Sequence, residues 1–250
     1  YSMYGTGSSF VGNLIYKNDT HGLFIDAFGP GQDIVNNLIF ANGFPSGTVR
    51  EPLFNRDTNS ARYVGNYIFG NRHRAVQLSN ASGLLLAGNH IFANGGGITF
   101  YDGSGVTVAS NTIHRNASTG ILLYGLFGTS ADSVFAANLI HSNSGEGVYF
   151  YNQSRNHRFI GNKIYGNTSY GLRVRDDLGS VFADGRLGYD ADGASRPNGA
   201  AEVYFEASTA TSTALTLRRT RVNPATGIST AGFSSSGRST WWVATPISSQ

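Results

Sequence analysis

Apolar residues along this chain come in runs of two to four, broken every few positions by Gly, Asn, Ser or Thr. Runs that short are too brief for helices and match half-buried strands between turns. One pattern returns seven times, as in Asn13-Leu14-Ile15-Tyr16-Lys17-Asn18 and Asn89-His90-Ile91-Phe92-Ala93-Asn94. The first Asn of each copy stands at 13, 37, 66, 89, 111, 138 and 162, giving spacings of 24, 29, 23, 22, 27 and 24 residues. A structural unit with occasional loop insertions produces such a series. Each unit carries three apolar runs. One precedes the marker Asn (Leu84-Leu85-Leu86, Val106-Thr107-Val108, Phe159-Ile160), and one is the Ile step itself. The third follows a Gly about four residues after the second Asn, as in Gly120-Ile121-Leu122-Leu123 and Gly147-Val148-Tyr149-Phe150. One unit cannot bury its apolar side alone, so successive units must stack, each strand pairing with its equivalent one coil away. Asn suits the recurring turn position because it tolerates left-handed backbone and its amide can bond to the next Asn in the stack.

The pattern predicts an all-β solenoid of about seven to nine coils, with three short strands per coil, over residues 1–180. After about Asp177 the Asn-x-Ile marker disappears. Residues 181–250 are expected to add one or two irregular coils and then a cap, because a solenoid must hide its last open edge. Glu202-Val203-Tyr204-Phe205-Glu206 and Leu215-Thr216-Leu217-Arg218 read as strands there, and Trp241 and Trp242 as packing on the cap.

Composition agrees with a turn-dense β chain: 33 of 250 residues are Gly, and only 13% are charged. Cysteine is absent, which excludes disulfides and thiolate metal sites. No long apolar run marks a transmembrane segment, and no signal peptide is recognisable, so a soluble chain is expected, trimmed from a longer precursor. Net charge is +3 with only two lysines, and no basic run or motif points to nucleic acid. Arginine supplies the other cations, and its planar fork suits carboxylates. No metal site or cofactor is expected. Asp190-Ala191-Asp192-Gly193 begins like a calcium loop but lacks the later Gly and Glu, so it reads as a turn. His114 and His141 occupy the slot held elsewhere by Tyr16, Phe40, Phe69, Phe92 and Tyr165, which makes them rungs of an outer ladder and not metal ligands.

The Asn-x-Ile-x-x-Asn-x-x-x-Gly-Ile-like units, over roughly residues 5 to 180, resemble the right-handed parallel β-helix repeats of the pectin-lyase-like superfamily. That resemblance implies a right-handed parallel β-helix with its groove along the first sheet, assigned here to the strands after the Gly. It leaves function open, since the fold carries lyases, hydrolases, epimerases and non-enzymatic surface proteins. The Asp-Pro-His-Asp signature of alginate epimerases, the Trp-Ile-Asp-His of pectate lyases and the Asn-Thr-Asp of polygalacturonases are all missing.

Alternation along the groove strands places two columns outward. One is expected to run Phe24, Thr48, Gln77, Thr99, Leu122, Tyr149, Arg173, and the other Asp26, Arg50, Ser79, Tyr101, Tyr124, Tyr151, Arg175. Glu51, Asn80, Asp102, Asn152 and Asp176 stand at the strand exits. Tyr101 and Tyr149, with Arg50 and Glu51, are candidate substrate contacts, because amphipathic rings beside guanidinium forks suit acidic sugars. For catalysis the candidates are Tyr124, Tyr151, Arg173, Arg175, Asp102 and Asp176. A lyase or epimerase needs a base, a proton donor and a cation against the uronate carboxylate, roles that Tyr124 or Tyr151 with Arg173 or Arg175 could fill. Hydrolysis needs two carboxylates about 5 to 9.5 Å apart. Glu51 and Asp102, two coils apart, come to roughly 9.6 Å by strand spacing, and Asp176 with Asp177 is a second pair.

Three readings follow. One is an extracellular or cell-surface protein that binds and processes an acidic polysaccharide as lyase, epimerase or hydrolase. The others are a non-catalytic adhesive module, and a structural or matrix component that self-associates.

Overall fold

The computed structural model describes residues 2–3, 6–26, 31–43, 52–57, 59–125, 130–152, 154–206, 214–230 and 242–243. Among these, all the paired strands run parallel, each aligned with its equivalent one coil on, as in Ile91↔Ile113 and Ile113↔Ile140. The Ile-step strands, from Leu14–Tyr16 to Arg221–Val222, form one sheet of nine. The other two runs of each coil share a second sheet of 22 strands, bridged where single strands such as Arg74–Ser82 and Gly96–Ser104 extend for nine residues. The chain is a parallel β-helix.

Ile15, Ile39, Ile68, Ile91, Ile113, Ile140 and Ile164 all point inward and are buried, as alternation requires. Facing them, Phe135 and Phe159 stack at 4.3 Å. Full burial of each such side chain favours folding by about 1.5–3 kcal/mol over exposure.

Two asparagine ladders line the turns that flank the Ile step. The first runs Asn13, Asn37, Asn66, Asn89, Asn111, Asn138, Asn162, and each rung donates both its backbone N–H and its Nδ2 to the Oδ1 of the next. From the second rung on, Nδ2 also donates to a carbonyl of the preceding coil, such as Asn111 to Leu86 at 3.0 Å. The second ladder, from Asn18 to Asn167, continues to Asn198 and ends on the buried Glu202 carboxylate, which accepts the Asn198 N–H at 3.1 Å. Each buried amide is thereby satisfied, which is what permits asparagine in a dry interior.

Gly precedes the groove strand in five coils, whereas Pro52, Ala75 and Glu202 stand there in others, and at those five a side chain lacks room. A Cβ on Gly120 would lie 2.7 Å from the Gly147 carbonyl oxygen and 2.8 Å from Ile140 Cγ2, and the same crowding recurs at Gly171. On the outside of the nine-stranded sheet, Tyr16, Phe40, Phe69, Phe92, His114, His141 and Tyr165 stack in sequence at 4.8–5.3 Å. Burial in this stack, with neighbouring cations, lowers the pKa of both histidines, that of His141 to about 4. His114 and His141 are therefore neutral rungs at pH 7.

The second coil departs from expectation. Its groove strand is Leu53–Arg56, with Leu53, Phe54, Asn55 and Arg56 in register with Leu23, Phe24, Ile25 and Asp26. The insertion in this repeat precedes the strand: Leu53 comes 11 positions after Asn42, whereas Leu23 comes 5 after Asn18. Arg50 and Glu51 lie outside the described residues, and the column places assigned to Thr48 and Arg50 belong to Phe54 and Arg56. Arg56 pairs with Asp26, and Asn55 points inward, where its Nδ2 donates to the Tyr63 hydroxyl.

Stacking runs on past residue 180. Arg186–Leu187 and Arg221–Val222 extend the nine-stranded sheet, and Ala201–Phe205 extends the groove sheet. Trp242 pairs with Thr216, while Trp241 lies outside the described residues.

Candidate functional site

Strand register builds three outward columns on the groove sheet. Phe54, Gln77, Thr99, Leu122, Tyr149, Arg173 and Tyr204 align in the first. Arg56, Ser79, Tyr101, Tyr124 and Tyr151 align in the second. Arg175 and Glu206 carry that column on, one residue past the paired Val174 and Phe205, with Glu206 N–H donating to the Val174 carbonyl at 2.9 Å. Two residues before Ile121, Val148 and Leu172 stand Thr119, Glu146 and Tyr170, the last already within the strand Tyr170–Val174.

At the C-terminal end of these columns the side chains join into one network. Arg173 donates from Nη1 to Glu146 at 2.9 Å and from Nε to Glu206 at 3.1 Å, and its guanidinium lies 4.4 Å from the Tyr149 ring. Tyr149 donates its hydroxyl to Glu206 at 3.0 Å, and Thr119 donates to Glu146 at 2.8 Å. Arg175 stands 4.8 Å over the Tyr151 ring and 3.7 Å from Glu206. From Tyr151 the aromatic surface continues through Tyr124 at 4.9 Å to Tyr101 at 5.4 Å.

Two guanidiniums face three carboxylates here, since Asp176 also stands 3.8 Å from Arg175 Nε. Burial opposes the Arg173 charge, but Glu146 and Glu206 outweigh it and push the guanidinium pKa up. Burial and the bond to Glu206 likewise push the Tyr149 phenol up, so it remains a neutral donor. A tyrosine acting as base needs the opposite shift. Arg173 is spent on its two glutamates, whereas Arg175, at the rim with its side chain 35% exposed, meets Glu206 and Asp176 only at 3.7 and 3.8 Å.

The structure brings Tyr101, Tyr124, Tyr149, Tyr151, Arg173 and Arg175 onto one surface. Asp102 and Asp176 sit at its edge, buried, with φ of 47° and 56°. They share that left-handed strand-exit position with Asp57, Asn80 and Asn152, a place where Asn and Asp are favoured on backbone grounds alone. Asp177 points into the helix. It accepts from Ser180 Oγ at 2.6 Å, and burial raises its pKa to about 7. Nearby, Ser180 Oγ accepts the His157 backbone N–H, and burial lowers the His157 pKa to about 4. This Ser/His/Asp set is fully buried, so no substrate reaches it. His21 packs against the rings of Phe24 and Phe54. Asp190 closes its own turn, accepting from the N–H of Asp192 and Ala194. Among the described residues no cluster of three or more His, Asp or Glu side chains could hold a metal, and no helix is long and apolar enough to cross a membrane.

Glu146 and Glu206 are the site residues that sequence reasoning missed. A signal was present: Val203 follows Asn198 by five positions, as Leu172 follows Asn167, so Asn198 is a rung of the second ladder. The 31-residue step from Asn167 hid it.

The family model for right-handed β-helix regions matches residues 2–185. No curated protein matches the sequence. Among solved structures, the mannuronan C-5 epimerase AlgE4 A-module of Azotobacter vinelandii superposes with a TM-score of 0.68 at 12% identity, over 96% of this chain and 65% of that one. The periplasmic alginate epimerase AlgG gives 0.53 at 16% identity, over 85% and 62%, and the Dettilon tailspike protein 0.59 at 12%, over 92% and 61%. The chain thus spans under two thirds of the length of these structures, and at such identities the likeness is one of fold.

Proposed function

The chain belongs to the right-handed β-helix family, and from that premise we propose that it binds an acidic polysaccharide outside the cell, along the tyrosine and arginine face of the groove sheet. The observation that carries this reading is the continuous strip Tyr101–Tyr124–Tyr151, with Arg175 standing over its last ring. Phenol rings tilted against one another leave parts of their faces to pack on the C–H surface of a sugar, and their hydroxyls reach sugar oxygens. Arg175 offers a fork to a uronate carboxylate. Tyr149 and Arg173, locked by Glu146 and Glu206, buttress the strip. Asp102 and Asp176 shape the turns at its border. Several of the similar structures are alginate epimerases, which accords with an acidic polymer as ligand.

A catalytic reading is favoured by one feature, the two carboxylates held together by Arg173. Two carboxylates are the groups that glycoside hydrolysis calls on, whereas Tyr149 is too weak a base for β-elimination. The test is a panel of acidic and neutral polysaccharides, scored for retardation in affinity gels, for new reducing ends and for unsaturated uronates. Binding is expected for acidic polymers, at least ten-fold weaker in Tyr151→Ala and in Arg175→Ala. Equal retardation by neutral polymers, or indifference to both substitutions, refutes the proposed face. Reducing ends that vanish in Glu206→Gln would establish hydrolysis, and unsaturated product would return the chemistry to Tyr124 and Tyr151.

A further inference from the structure

A recess lies on a different flank of the solenoid from the tyrosine face, over the strands that precede the marker Asn. Its volume is about 400 Å³, with Ile160, Val181 and Ala183 beneath and Arg158, Asp184, Arg218 and Arg219 around them. The recess follows from register. Val181 aligns with Arg158 on one side and Thr216 on the other, while Ala183 aligns with Ile160 and Arg218. One coil thus presents a short-chained floor between two coils carrying long side chains.

Three guanidiniums and one carboxylate surround this floor. Arg219 is committed to Asp184, with bonds of 2.7 and 2.9 Å from Nε and Nη2. Arg158 and Arg218 are exposed, and among the described residues neither forms an ion pair. The recess therefore holds two available cations over an apolar floor, in a volume within the usual range for small-molecule sites.

We propose that this recess is a second saccharide site, taking one or two acidic sugar units whose carboxylate is gripped by Arg158 and Arg218. Ile160, Val181 and Ala183 meet the C–H face of the sugar ring, and the Asp184–Arg219 pair fixes one wall and accepts from a hydroxyl. A mobile inorganic anion would use the arginines but gain nothing from the floor. The site is independent of the tyrosine face, although the ligand chemistry is the same and rests in that respect on the function proposed above. Two separate anchors for one polymer raise its overall retention well beyond either alone.

The test is calorimetric titration of the full chain with a linear trimer of galacturonate, with maltotriose and inorganic sulfate as comparison probes. Tyr151→Ala/Arg175→Ala silences the first face. In that background the trimer is expected to bind still, and adding Arg158→Ala and Arg218→Ala should weaken the remaining binding more than ten-fold. Arg158→Gln alone, which keeps most of the aliphatic stem, should weaken it several-fold with an unchanged melting temperature. No residual binding in the silenced background, or residual binding indifferent to Arg158 and Arg218, overturns the proposal while leaving the first face standing. Sulfate binding as tightly as the trimer would reduce the recess to a plain anion site and overturn its assignment to sugar. Binding untouched by Tyr151→Ala/Arg175→Ala but lost with the recess arginines would refute the first face and uphold the second.

Discussion

Replacing Asn111 by Ala tests whether the asparagine ladder is a buried network or a set of ordinary turn residues. The Asn111 side chain takes part in four hydrogen bonds. Its Oδ1 accepts from Asn89 N–H and Nδ2, both at 2.9 Å, and its Nδ2 donates to the Leu86 carbonyl and to Asn138 Oδ1, both at 3.0 Å. Alanine removes all four and leaves the Asn89 N–H, one Asn89 amide proton and the Leu86 carbonyl short of a partner in the interior. An orphaned buried group costs about 1–3 kcal/mol, and three such groups, partly relaxed, should cost about 3–6 kcal/mol. A domain has only about 5–15 kcal/mol in all. The exposed end rung is the control. Asn13→Ala loses a single side-chain bond, from Nδ2 to Asn37 at 3.0 Å, and retains the N–H bond to the same oxygen. Its cost should be about 0.5–1.5 kcal/mol. Urea unfolding followed by circular dichroism gives both values, with the slope m showing whether the transition still reports the whole solenoid. Equal costs for the two substitutions, or a cost at Asn111 under 1 kcal/mol, would show that the interior rungs are not a dry network, and the reasoning fails.

Two further outcomes follow from the packing and from the buried titrating groups. Gly120→Ala, whose added methyl would press on the Gly147 carbonyl and Ile140, should cost about 1–3 kcal/mol or prevent folding, while Gly70→Ala, where a Cβ would meet nothing within 4 Å, should cost only its left-handed strain; equal urea midpoints for the two would refute the crowding argument. Asp177, raised to about 7, is neutral in the folded chain where the unfolded chain is ionised, so its burden on stability grows as pH rises from about 4 and is complete above 7. Asp177→Asn should therefore stabilise the protein at pH 8 by about 1–3 kcal/mol, some three pKa units less the cost of an unpaired amide proton, and the effect should reverse as pH falls toward 4, where only the amide cost remains. His157 has the opposite sign: lowered to about 4, it favours folding fully above pH 6.5 and loses that contribution as pH falls toward 4. Stability of the Asp177→Asn variant should thus fall more steeply on acidification than that of the natural chain; a parallel pair of pH curves would count against the Asp177 assignment, and a variant curve flat between pH 6.5 and 4 against that of His157.

The repeat, the parallel stacking, the inward isoleucines and the outer aromatic ladder were all legible in the chain, because each is set by local spacing that copies itself from coil to coil. Columns over coils three to seven were legible for the same reason, and they placed Tyr101, Tyr124, Tyr149, Tyr151, Arg173 and Arg175 on one surface. Register failed where spacing alone could not say on which side of a strand an insertion lies, and so Leu53–Arg56 had to be found in three dimensions. The partners of the site arginines were also decided by tertiary structure. Glu146 precedes its strand and Glu206 comes a full coil after Arg175, beyond the point where the marker ends, yet both carboxylates converge on Arg173. Sequence sets which residues a coil offers to solvent, since alternation is a property of the strand. Whether an offered arginine is free for a ligand or already held by a glutamate depends on groups 27 and 33 residues away, and only the stacking of coils brings those within reach.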